Sequence, residues 1–442
     1  MKHDVIIVGG GVSGTALLYT ISKYTDVKNI GLIEKYAGFG LVSSSAIMNS
    51  QTLHLGEIET NYTLEKARKV KHKADMVMKY LETEKALKGD EKLFIKVSKM
   101  VLAVGKEQVD ALRERFPPFG QLFPKLRMIG KEEICRIEPR VLEGRDPDQD
   151  LLALVTEDGY TVDFGKLSHS FVNNAKTLNP DSSIYLSTKV KKITRKGDVF
   201  KLSTNKGEFE ANAVIITAGS HSLKIAKSLG YGKNYSILSI AGSYYSGPKV
   251  LNGKVYTMQI DKLPFAAIHG DPDVLDENIT RFGPTAKPVF FLERYNYSTF
   301  FDYWKTFGFS IKPLLSILKI SSDRVIFNYL LRNVTYEIPF IGKRLFLKEI
   351  KKIVPNINLE EIKSSKRRKM GGLRPQMMNN TTRKLEMGEA KITGDKIIFN
   401  ITPSPGASTC LGSAFEDTIK LMEFLDNKFS FNRVQFEKDL VL

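Results

Sequence analysis

The first fourteen residues constrain the fold of this chain more than any other stretch. His3 to Val8 ends in four apolar residues and is typical of a buried strand, and Gly9-Gly10-Gly11-Val12-Ser13-Gly14 follows it directly. The spacing Gly9-x-Gly11-x-x-Gly14 allows a tight turn, a close backbone approach to a diphosphate, and close packing of the next helix on the strand. The diphosphate would lie at the positive N-terminus of that helix. The stretch therefore predicts a dinucleotide-binding unit of strand, turn and helix.

An acidic residue in the expected place strengthens this prediction. A second short apolar strand is predicted from Asn29 to Ile33, and Glu34 follows it, twenty residues after Gly14. A carboxylate there accepts hydrogen bonds from a ribose 2′-hydroxyl and would repel a 2′-phosphate, so an NADP site is disfavoured. A glycine turn without a ligand is the alternative, but strand, helix, strand and acid in this order favour a binding site.

The net charge of +17 has several possible meanings. It could attract nucleic acid, an anionic membrane surface or an acidic substrate. Since no nucleic-acid-binding motif accompanies the lysine clusters, such as Lys366 to Lys369, a general lysine bias is the simplest explanation and membrane attraction the second. The chain has no run of eighteen apolar residues, so any membrane contact is expected to be peripheral.

Length and cysteine content bear on organisation and compartment. A chain of 442 residues can bury a large core and is expected to form two domains, interleaved rather than consecutive. The glycine motif starts so close to Met1 that no signal peptide fits before it. Cys135 and Cys410 provide neither a metal-ligand pattern nor a disulfide framework, as expected for a reducing cytosol.

The remaining elements are predicted from periodicity and from Gly and Pro positions. The first half is expected to contain helices at Tyr62 to Glu84, Lys92 to Gly105 and Val109 to Phe116, a loop-rich connector from Pro117-Pro118 to Asp146-Pro147, a helix at Asp163 to Leu178, and strands at Ser183 to Ile193 and Ala213 to Ile216. The three early helices suggest a helical insertion. The strand ending at Thr217-Ala218-Gly219 is expected under the ligand, at the carboxyl edge of a parallel sheet.

The second half of the chain has a different pattern of predicted secondary structure. From Tyr235 to about Lys369, strands such as Lys254 to Ile260, Ala266 to His269 and Thr280 to Phe282 predict a mostly antiparallel substrate domain. Tyr295 to Tyr329 is rich in aromatic and aliphatic residues at helical spacing, interleaved with lysines; a buried core is favoured, and an amphipathic membrane-facing surface is the alternative. A strand at Lys396 to Ile401, a turn to Thr409 and a helix from Leu411 to Phe429 return the chain to the first domain.

The chain has more cofactor-binding segments than a site for NAD alone requires. They are the glycine turn, a second segment ending at Ala218-Gly219, and a returning strand, turn and helix, and together they indicate FAD. The predicted fold is α/β and α+β: a Rossmann-like FAD-binding domain of the glutathione-reductase and D-amino-acid oxidase type, interleaved with a mostly antiparallel substrate domain and a helical insertion. The expected boundaries are 1–75, 150–234 and 370–442 for the FAD-binding domain, and 76–149 and 235–369 for the substrate and membrane-facing domain.

Four segments carry a resemblance to a known family. They are Asn49 to His54 leading to Asn61-Tyr62-Thr63, Pro264-Phe265-Ala266-Ala267-Ile268-His269, Phe282-Gly283-Pro284, and Ser404-Pro405-Gly406-Ala407-Ser408-Thr409. With them the chain resembles the FAD-dependent D-amino-acid oxidase-like superfamily and, within it, most closely the malate:quinone oxidoreductases. It differs from longer members in lacking a signal-like N-terminal extension and a glycine-rich loop before His54.

The resemblance implies an activity and partners. FAD would take a hydride at N5 from (S)-malate, giving oxaloacetate, and the electrons would pass to a membrane quinone. The protein would be cytoplasmic, bound peripherally to the anionic inner face of a bacterial cytoplasmic membrane, with no nucleic-acid partner. An L-2-hydroxyglutarate or other 2-hydroxyacid dehydrogenase or oxidase of the same superfamily is the nearest alternative. A flavin-dependent RNA-modifying protein, suggested by the positive charge, is a more distant one.

Oxidation of a 2-hydroxy dicarboxylate needs cations for the carboxylates and a base for the hydroxyl proton. Arg374, in Gly371-Gly372-Leu373-Arg374-Pro375, is expected on a glycine-bounded loop as the first carboxylate clamp, and Arg281 as the second. His269 is expected to be the base, and His54 to orient the substrate or the flavin.

The cofactor is expected to contact residues from five parts of the chain. They are Gly9, Gly11, Val12, Ser13 and Gly14 in the first turn; Glu34 and Lys35; Ser44, Asn49 and Ser50 in the small-residue loop; Val190, Ala218 and Gly219; and Gly406, Ala407, Ser408 and Thr409 near the C-terminus. Amides of the last group, at a helix N-terminus, would stabilise negative charge near flavin N1 and O2.

Overall fold

The structure is a computed structural model that describes residues 1–87, 92–259, 267–308, 310–338, 340–364, 369–386, 390–402 and 405–441. The strands are β1 Lys2–Val8, β2 Ile30–Ile33, β3 Phe94–Val104, β4 Arg127–Ile129, β5 Leu151–Val162, β6 Ser183–Tyr185, β7 Val190–Lys196, β8 Val199–Thr204, β9 Gly207–Ile216, β10 Tyr235–Ala241, β11 Tyr245–Pro248, β12 Lys254–Thr257, β13 His269–Pro272, β14 Ile279–Gly283, β15 Lys287–Val289, β16 Lys363–Ser364, β17 Leu373–Asn379, β18 Lys384–Leu385, β19 Ala390–Gly394 and β20 Ile397–Ile401.

The helices alternate with these strands. They are α1 Val12–Tyr24, α2 Leu64–Leu87, α3 Lys106–Leu122, α4 Lys131–Ile137, α5 Pro139–Leu142, α6 Phe164–Leu178, α7 Ser222–Ser228, α8 Phe300–Lys305, α9 Lys312–Ser321, α10 Arg324–Thr335, α11 Ile341–Ile350, α12 Cys410–Phe424 and α13 Arg433–Leu440.

The first sheet confirms the predicted Rossmann-like unit. Its strand order is β19-β20-β9-β1-β2-β6, with β8 and then β7 continuing from β9, and β1 pairs in parallel with both β2 and β9. The central strands are continuous apolar runs because both of their faces are covered. One face packs against α1, α6 and α12, and the other against the β7–β8 hairpin and α7. The glycine turn therefore lies at the carboxyl edge of the sheet, where such folds bind their ligands.

Two further sheets form the predicted antiparallel part. One has the order β15-β10-β17-β18, and the other β16-β11-β14-β13-β12-β3-β5-β4, in which only the β12–β3 pair is parallel among the pairings that the structure describes. The expected helix at Lys92 to Gly105 is wrong, because this segment is the central strand β3. Its run Met100-Val101-Leu102-Ala103 is buried on both faces, so its apolar pattern does not alternate as an exposed strand does.

Several other boundaries differ from the sequence-based expectation. The helix expected at Val109 to Phe116 is present, but α3 continues through Pro117 and Pro118 to Leu122, so these prolines do not end it. The expected loop-rich connector contains β4, α4 and α5, and the long strand β5 follows it. The strand expected at Ser183 to Ile193 is two strands, β6 and β7, and β13 starts at His269 rather than ending there. Ile260 and residues 264–266 lie outside the described parts of the chain, as do residues 366–368 and 403–404.

Helices α8 to α11 each have two different faces. The inner faces of α9 and α10 pack Ile317, Ile320 and Tyr329 against Leu238 and Met378 of the β10–β17 sheet. The outer face is exposed and apolar; we call it the apolar face, and it comprises Tyr297, Phe301, Ile311, Leu314, Leu318, Phe327, Leu331, Val334, Phe340 and Ile341. The predicted core is therefore confirmed for the inner face, and the membrane-facing alternative stays a prediction for the outer face. Among the helices that the structure describes, none is long and apolar enough to cross a membrane.

Candidate functional site

A cavity of about 710 Å³ opens at the carboxyl edge of the first sheet and extends beneath the β10–β17 sheet. Most of the predicted site residues line it: Gly9, Gly11, Val12, Ser13, Glu34, Lys35, Ser44, Asn49, Ser50, His54, Val190, Ala218, Gly219, Arg374, Gly406, Ala407 and Ser408. Residues distant in sequence therefore share one cavity.

The glycine turn makes two very close contacts. Gly9 has a φ of +119°, and a Cβ there would lie 2.5 Å from the carbonyl oxygen of Thr217. A Cβ on Gly14 would lie 2.0 Å from the carbonyl oxygen of Gly9, so Gly14 contributes helix packing rather than cavity lining. Gly11 is different, because a Cβ there would meet only the Ser44 hydroxyl, at 3.3 Å. The open space above Gly11 is what a diphosphate at the N-terminus of α1 requires.

The glycine turn Gly9 to Gly14 and Glu34 form the predicted dinucleotide site, which we call the cradle. Hydrogen bonds to the backbone hold its polar groups in place. Glu34 accepts the amide hydrogens of Gly10, at 2.6 Å, and Tyr36, at 2.8 Å. The Ser44 hydroxyl accepts the amide hydrogen of Val12 at 3.0 Å. These contacts fix a carboxylate and a hydroxyl on the cavity wall, as recognition of a ribose and a diphosphate requires. Lys35 also lines the cavity, but its ammonium is paired with Glu293.

The small-residue loop is shaped by its own side chains. Asn49 donates to the carbonyl oxygens of Ser43 and Ser45 and accepts the amide hydrogen of Gln51. Its amide thus folds the loop that forms one wall of the cavity.

His54 lies on the cavity wall with a carboxylate behind it. Its Nδ1 is 2.7 Å from Oε1 of Glu59, and its backbone amide donates to the Ser408 hydroxyl at 2.9 Å. Burial lowers the pKa of His54, and the positive charge of Lys99 adds to this, although Glu59 opposes it. Burial disfavours the charge on Glu59, but the hydrogen bond with His54 outweighs it and lowers the pKa of Glu59 to about 2. Nδ1 therefore donates to a carboxylate, leaving Nε2 as the basic atom.

Arg374 lies on a strand rather than on the expected loop. It belongs to β17 and pairs in register with Ile240 of β10. The preceding glycines allow close packing, since a Cβ on Gly372 would lie 1.8 Å from the carbonyl oxygen of Met48. A sheet strand gives the guanidinium a fixed direction, which suits a carboxylate clamp better than a mobile loop does.

His269 and Arg281 do not line the cavity formed by the described residues, unlike the expectation for a base and a second clamp. His269 is fully buried, stacks on Tyr256, and has its Nε2 3.0 Å from Oδ2 of Asp271. Arg281 donates to the carbonyl oxygens of Ala46 and Asn49, with its guanidinium 4.3 Å from the ring centre of Tyr244. Arg281 therefore supports the loop that forms the cavity wall.

Three relevant residues were missed from sequence. Glu59 orients His54, and the only local signal was a pair of acids shortly after a histidine in Leu53 to Glu59. Tyr244 lines the cavity, and burial raises its pKa to about 12 against the opposing charges of Arg281 and Arg374, so its hydroxyl is a donor at neutral pH. Glu293 also lines the cavity, but it comes from a distant segment, which no local pattern links to Lys35.

The C-terminal turn approaches the same region. Gly406, Ala407 and Ser408 line the cavity just before α12, while Thr409 is buried one residue further on. The Ser408 hydroxyl bridges the amide of His54 and the carbonyl of Thr52. The proposed stabilisation of flavin charge by this turn stays a prediction.

Replacing Gly11 tests the binding of FAD without disturbing the folding of the protein. In Gly11→Val the new side chain meets little protein but occupies the diphosphate space, so we expect the apoprotein to fold and FAD to bind at least about tenfold more weakly. Gly130→Val is a matched control, because Gly130 precedes α4 with similar extended backbone angles and has no atom within 4 Å of its Cβ position. Equilibrium titration with FAD measures the affinity of both variants, and wild-type affinity in Gly11→Val would contradict the assignment of this turn to the diphosphate.

Solved structures similar to this chain share its fold. The L-α-glycerophosphate oxidase of Mycoplasma pneumoniae with FAD bound has a TM-score of 0.67 at 19% identity, covering 98% of this chain and 96% of that one. The glycine oxidase of Geobacillus kaustophilus has a TM-score of 0.64 at 17% identity, covering 98% of each chain. These likenesses confirm the D-amino-acid oxidase-like architecture expected from the sequence.

Sequence comparison identifies the family. The family model described as malate:quinone oxidoreductase matches residues 1–430. A probable malate:quinone oxidoreductase of Campylobacter jejuni is 42% identical, covering 97% of this chain and 98% of that protein. The malate:quinone oxidoreductase of Helicobacter pylori is 40% identical, covering 100% and 98%. The chain belongs to the malate:quinone oxidoreductase family.

Proposed function

We propose that this protein oxidises (S)-malate to oxaloacetate with FAD as its cofactor and a membrane quinone as the electron acceptor. The observation that carries the proposal is the pairing of His54 with Glu59 on the wall of the same cavity that presents Arg374 and the dinucleotide cradle. FAD, when bound, supplies the acceptor for the hydride from C2 of the substrate.

In this mechanism His54, rather than His269, takes the hydroxyl proton. His54 lines the cavity, and its Nδ1 is held by Glu59, so Nε2 can accept a proton and Glu59 stabilises the resulting imidazolium. The lowered pKa of His54 keeps it neutral and ready to act near pH 7. His269 is left as a buried residue outside the cavity lining, with its Nε2 3.0 Å from Oδ2 of Asp271.

Arg374 and Tyr244 would bind a substrate carboxylate. Both line the cavity, and a guanidinium can bind a carboxylate through two parallel hydrogen bonds. The protonated Tyr244 hydroxyl adds a neutral donor. Arg281 would act indirectly, by holding the loop at Ala46 to Asn49. A 2-hydroxyglutarate carboxylate would find the same donors, so that substrate is the second candidate.

The apolar face supports peripheral attachment to an anionic membrane. Phe301, Ile311 and Leu318 are 75%, 67% and 66% exposed, and several large apolar side chains exposed on neighbouring elements are typical of an interaction surface. Exposed basic residues accompany them on the same helices: Lys305, Lys312, Lys319, Arg324, Arg344 and Lys348. Apolar side chains flanked by cations suit a surface of anionic lipid, where a quinone would also be found.

Substrate identity is tested by anaerobic bleaching of the bound flavin. We expect L-malate to reduce it fastest, with L-2-hydroxyglutarate slower by about 10- to 200-fold, the discrimination that one methylene gives. L-lactate, which lacks the second carboxylate, should be slower again, and a soluble quinone should restore the colour. Faster bleaching by 2-hydroxyglutarate would leave the fold and cofactor intact and overturn the assignment of malate.

The pH dependence of flavin reduction tests the base. Because the pKa of His54 lies below the usual histidine value of 6.5, the rate of flavin reduction should stay constant as the pH falls to 6.5. It should decrease only at lower pH. Glu59→Gln removes the anion that raises this pKa, so the acidic limb should move to lower pH, and the maximal rate should fall by about 10²-fold or more. Stopped-flow reduction between pH 5 and 9 measures both.

Glu65→Gln is the control for this experiment, because Glu65 is an exposed residue paired with Lys69 on α2. Its profile should match the wild type. An acidic limb that does not move in Glu59→Gln would remove His54 from the role of base.

Membrane attachment is tested with two charges placed in the apolar face. In Leu318→Glu/Leu331→Glu, binding to vesicles of anionic lipid should fall by about tenfold or more, since each buried leucine contributes about 1.5–3 kcal/mol. Flavin reduction by malate in solution should not change. Val434→Glu, at a similarly exposed position on α13, is the control. Equal cosedimentation of both variants with vesicles would contradict the proposed surface.

A further inference from the structure

Residues Phe290 to Gly308, which we call the strap, form part of the cavity wall. Leu292, Glu293, Asp302 and Lys305 of the strap line it. On the opposite side, the lining residues belong to the first sheet and its connections: Lys35, Tyr36, His221 and Lys224. The two sides thus come from distant parts of the chain and meet across the cavity.

Glu293 joins the two sides. Its Oε1 is paired with the Lys35 ammonium and lies 3.0 Å from Nε2 of His221, while its Oε2 accepts the Tyr36 hydroxyl at 2.5 Å. Lys35 and Tyr36 directly follow Glu34 of the dinucleotide cradle. Glu293 is 4% exposed, and such a buried, multiply bonded charge is costly to separate from its partners.

The strap itself holds Glu293 in place. Asn296 donates to Oε2 at 2.9 Å, and the Thr299 hydroxyl accepts the amide hydrogens of Leu292 and Glu293. A second link between the sides is the ion pair of Asp302 with Lys224, at 2.8 Å. The strap is therefore tied at two points to the side formed by the first sheet and its connections.

Burial disfavours the charge on Glu293, but the hydrogen bonds with His221 and Lys35 outweigh it, so the pKa of Glu293 is lowered and the carboxylate stays ionised at neutral pH. The tie is therefore ionic under physiological conditions.

We infer that Glu293 is a cofactor-retaining residue: its bonds to Lys35, Tyr36 and His221 close the strap over the cavity, and they must break for FAD to leave. Glu293 is a positioning residue in this role and takes no part in the oxidation. The inference rests on the binding of FAD, which the proposed function shares, but not on the identity of the substrate or the acceptor.

The test is the rate of FAD release from the holoenzyme. Glu293→Gln keeps the shape of the side chain and removes its charge, so we expect release to be at least about tenfold faster, because one partner of a buried ion pair is lost. Release is followed by the rise in fluorescence of free FAD after dilution, without malate or quinone. A protein that oxidises another hydroxy acid would give the same result, so failure of the proposed function is distinguishable.

Glu277→Gln is the matched control, since Glu277 pairs with Lys92 where both side chains are about half exposed, and its release rate should equal that of the wild type. Asp302→Asn removes the second, more exposed tie and should speed FAD release by a smaller factor. This variant tests the inference if Glu293→Gln does not yield folded holoenzyme. Release at the wild-type rate from folded Glu293→Gln, or from Asp302→Asn where only that variant folds, would overturn the inference.

Discussion

The close approach of α1 to the carboxyl edge of the first sheet is the contact on which the rest of the site depends. Gly14 lies so near the carbonyl oxygen of Gly9 that no side chain fits between them, and the Thr217 hydroxyl donates to that same oxygen at 3.0 Å. This contact joins β1, α1 and the end of β9 at one point. Because it brings the N-terminus of α1 to the cavity, the cradle, Glu34 and the segment after β9 can act on one ligand.

The loop that carries His54 has little regular structure and is held by arginines from elsewhere. Arg115 of α3 donates to the carbonyl oxygens of Glu59, Thr60 and Tyr62, and Arg281 of β14 donates to those of Ala46 and Asn49. Buried carbonyl groups need such partners, and a guanidinium can satisfy several at once. The position of His54, the proposed base, therefore depends on two cations that do not line the cavity formed by the described residues.

These arginines also explain how far sequence could predict the site. The cradle was predictable because its signal is local: Gly9 to Gly14 and Glu34 have a fixed spacing and a fixed chemistry. His269 and Arg281 were predicted from residue type, from their positions beside apolar strands and from the family resemblance, and no local pattern tells whether such a side chain faces a cavity or supports a loop behind it. The strand at Phe94 to Val104 was mistaken for a helix for a related reason, since its burial on both faces is decided by β5 and β12, which are distant in sequence.

A layer of buried charged side chains, rather than apolar ones, lies behind His54. Lys99 pairs with Glu57 at 2.8 Å, and Lys254 lies 3.3 Å from Asp271, all of them almost fully buried. Buried ion pairs usually add little stability over apolar residues of similar size. Their effect on His54 is more definite, because Lys99 contributes to lowering the pKa of both His54 and Glu59. The layer thus favours a neutral histidine beside an ionised carboxylate, the combination that proton abstraction at neutral pH requires.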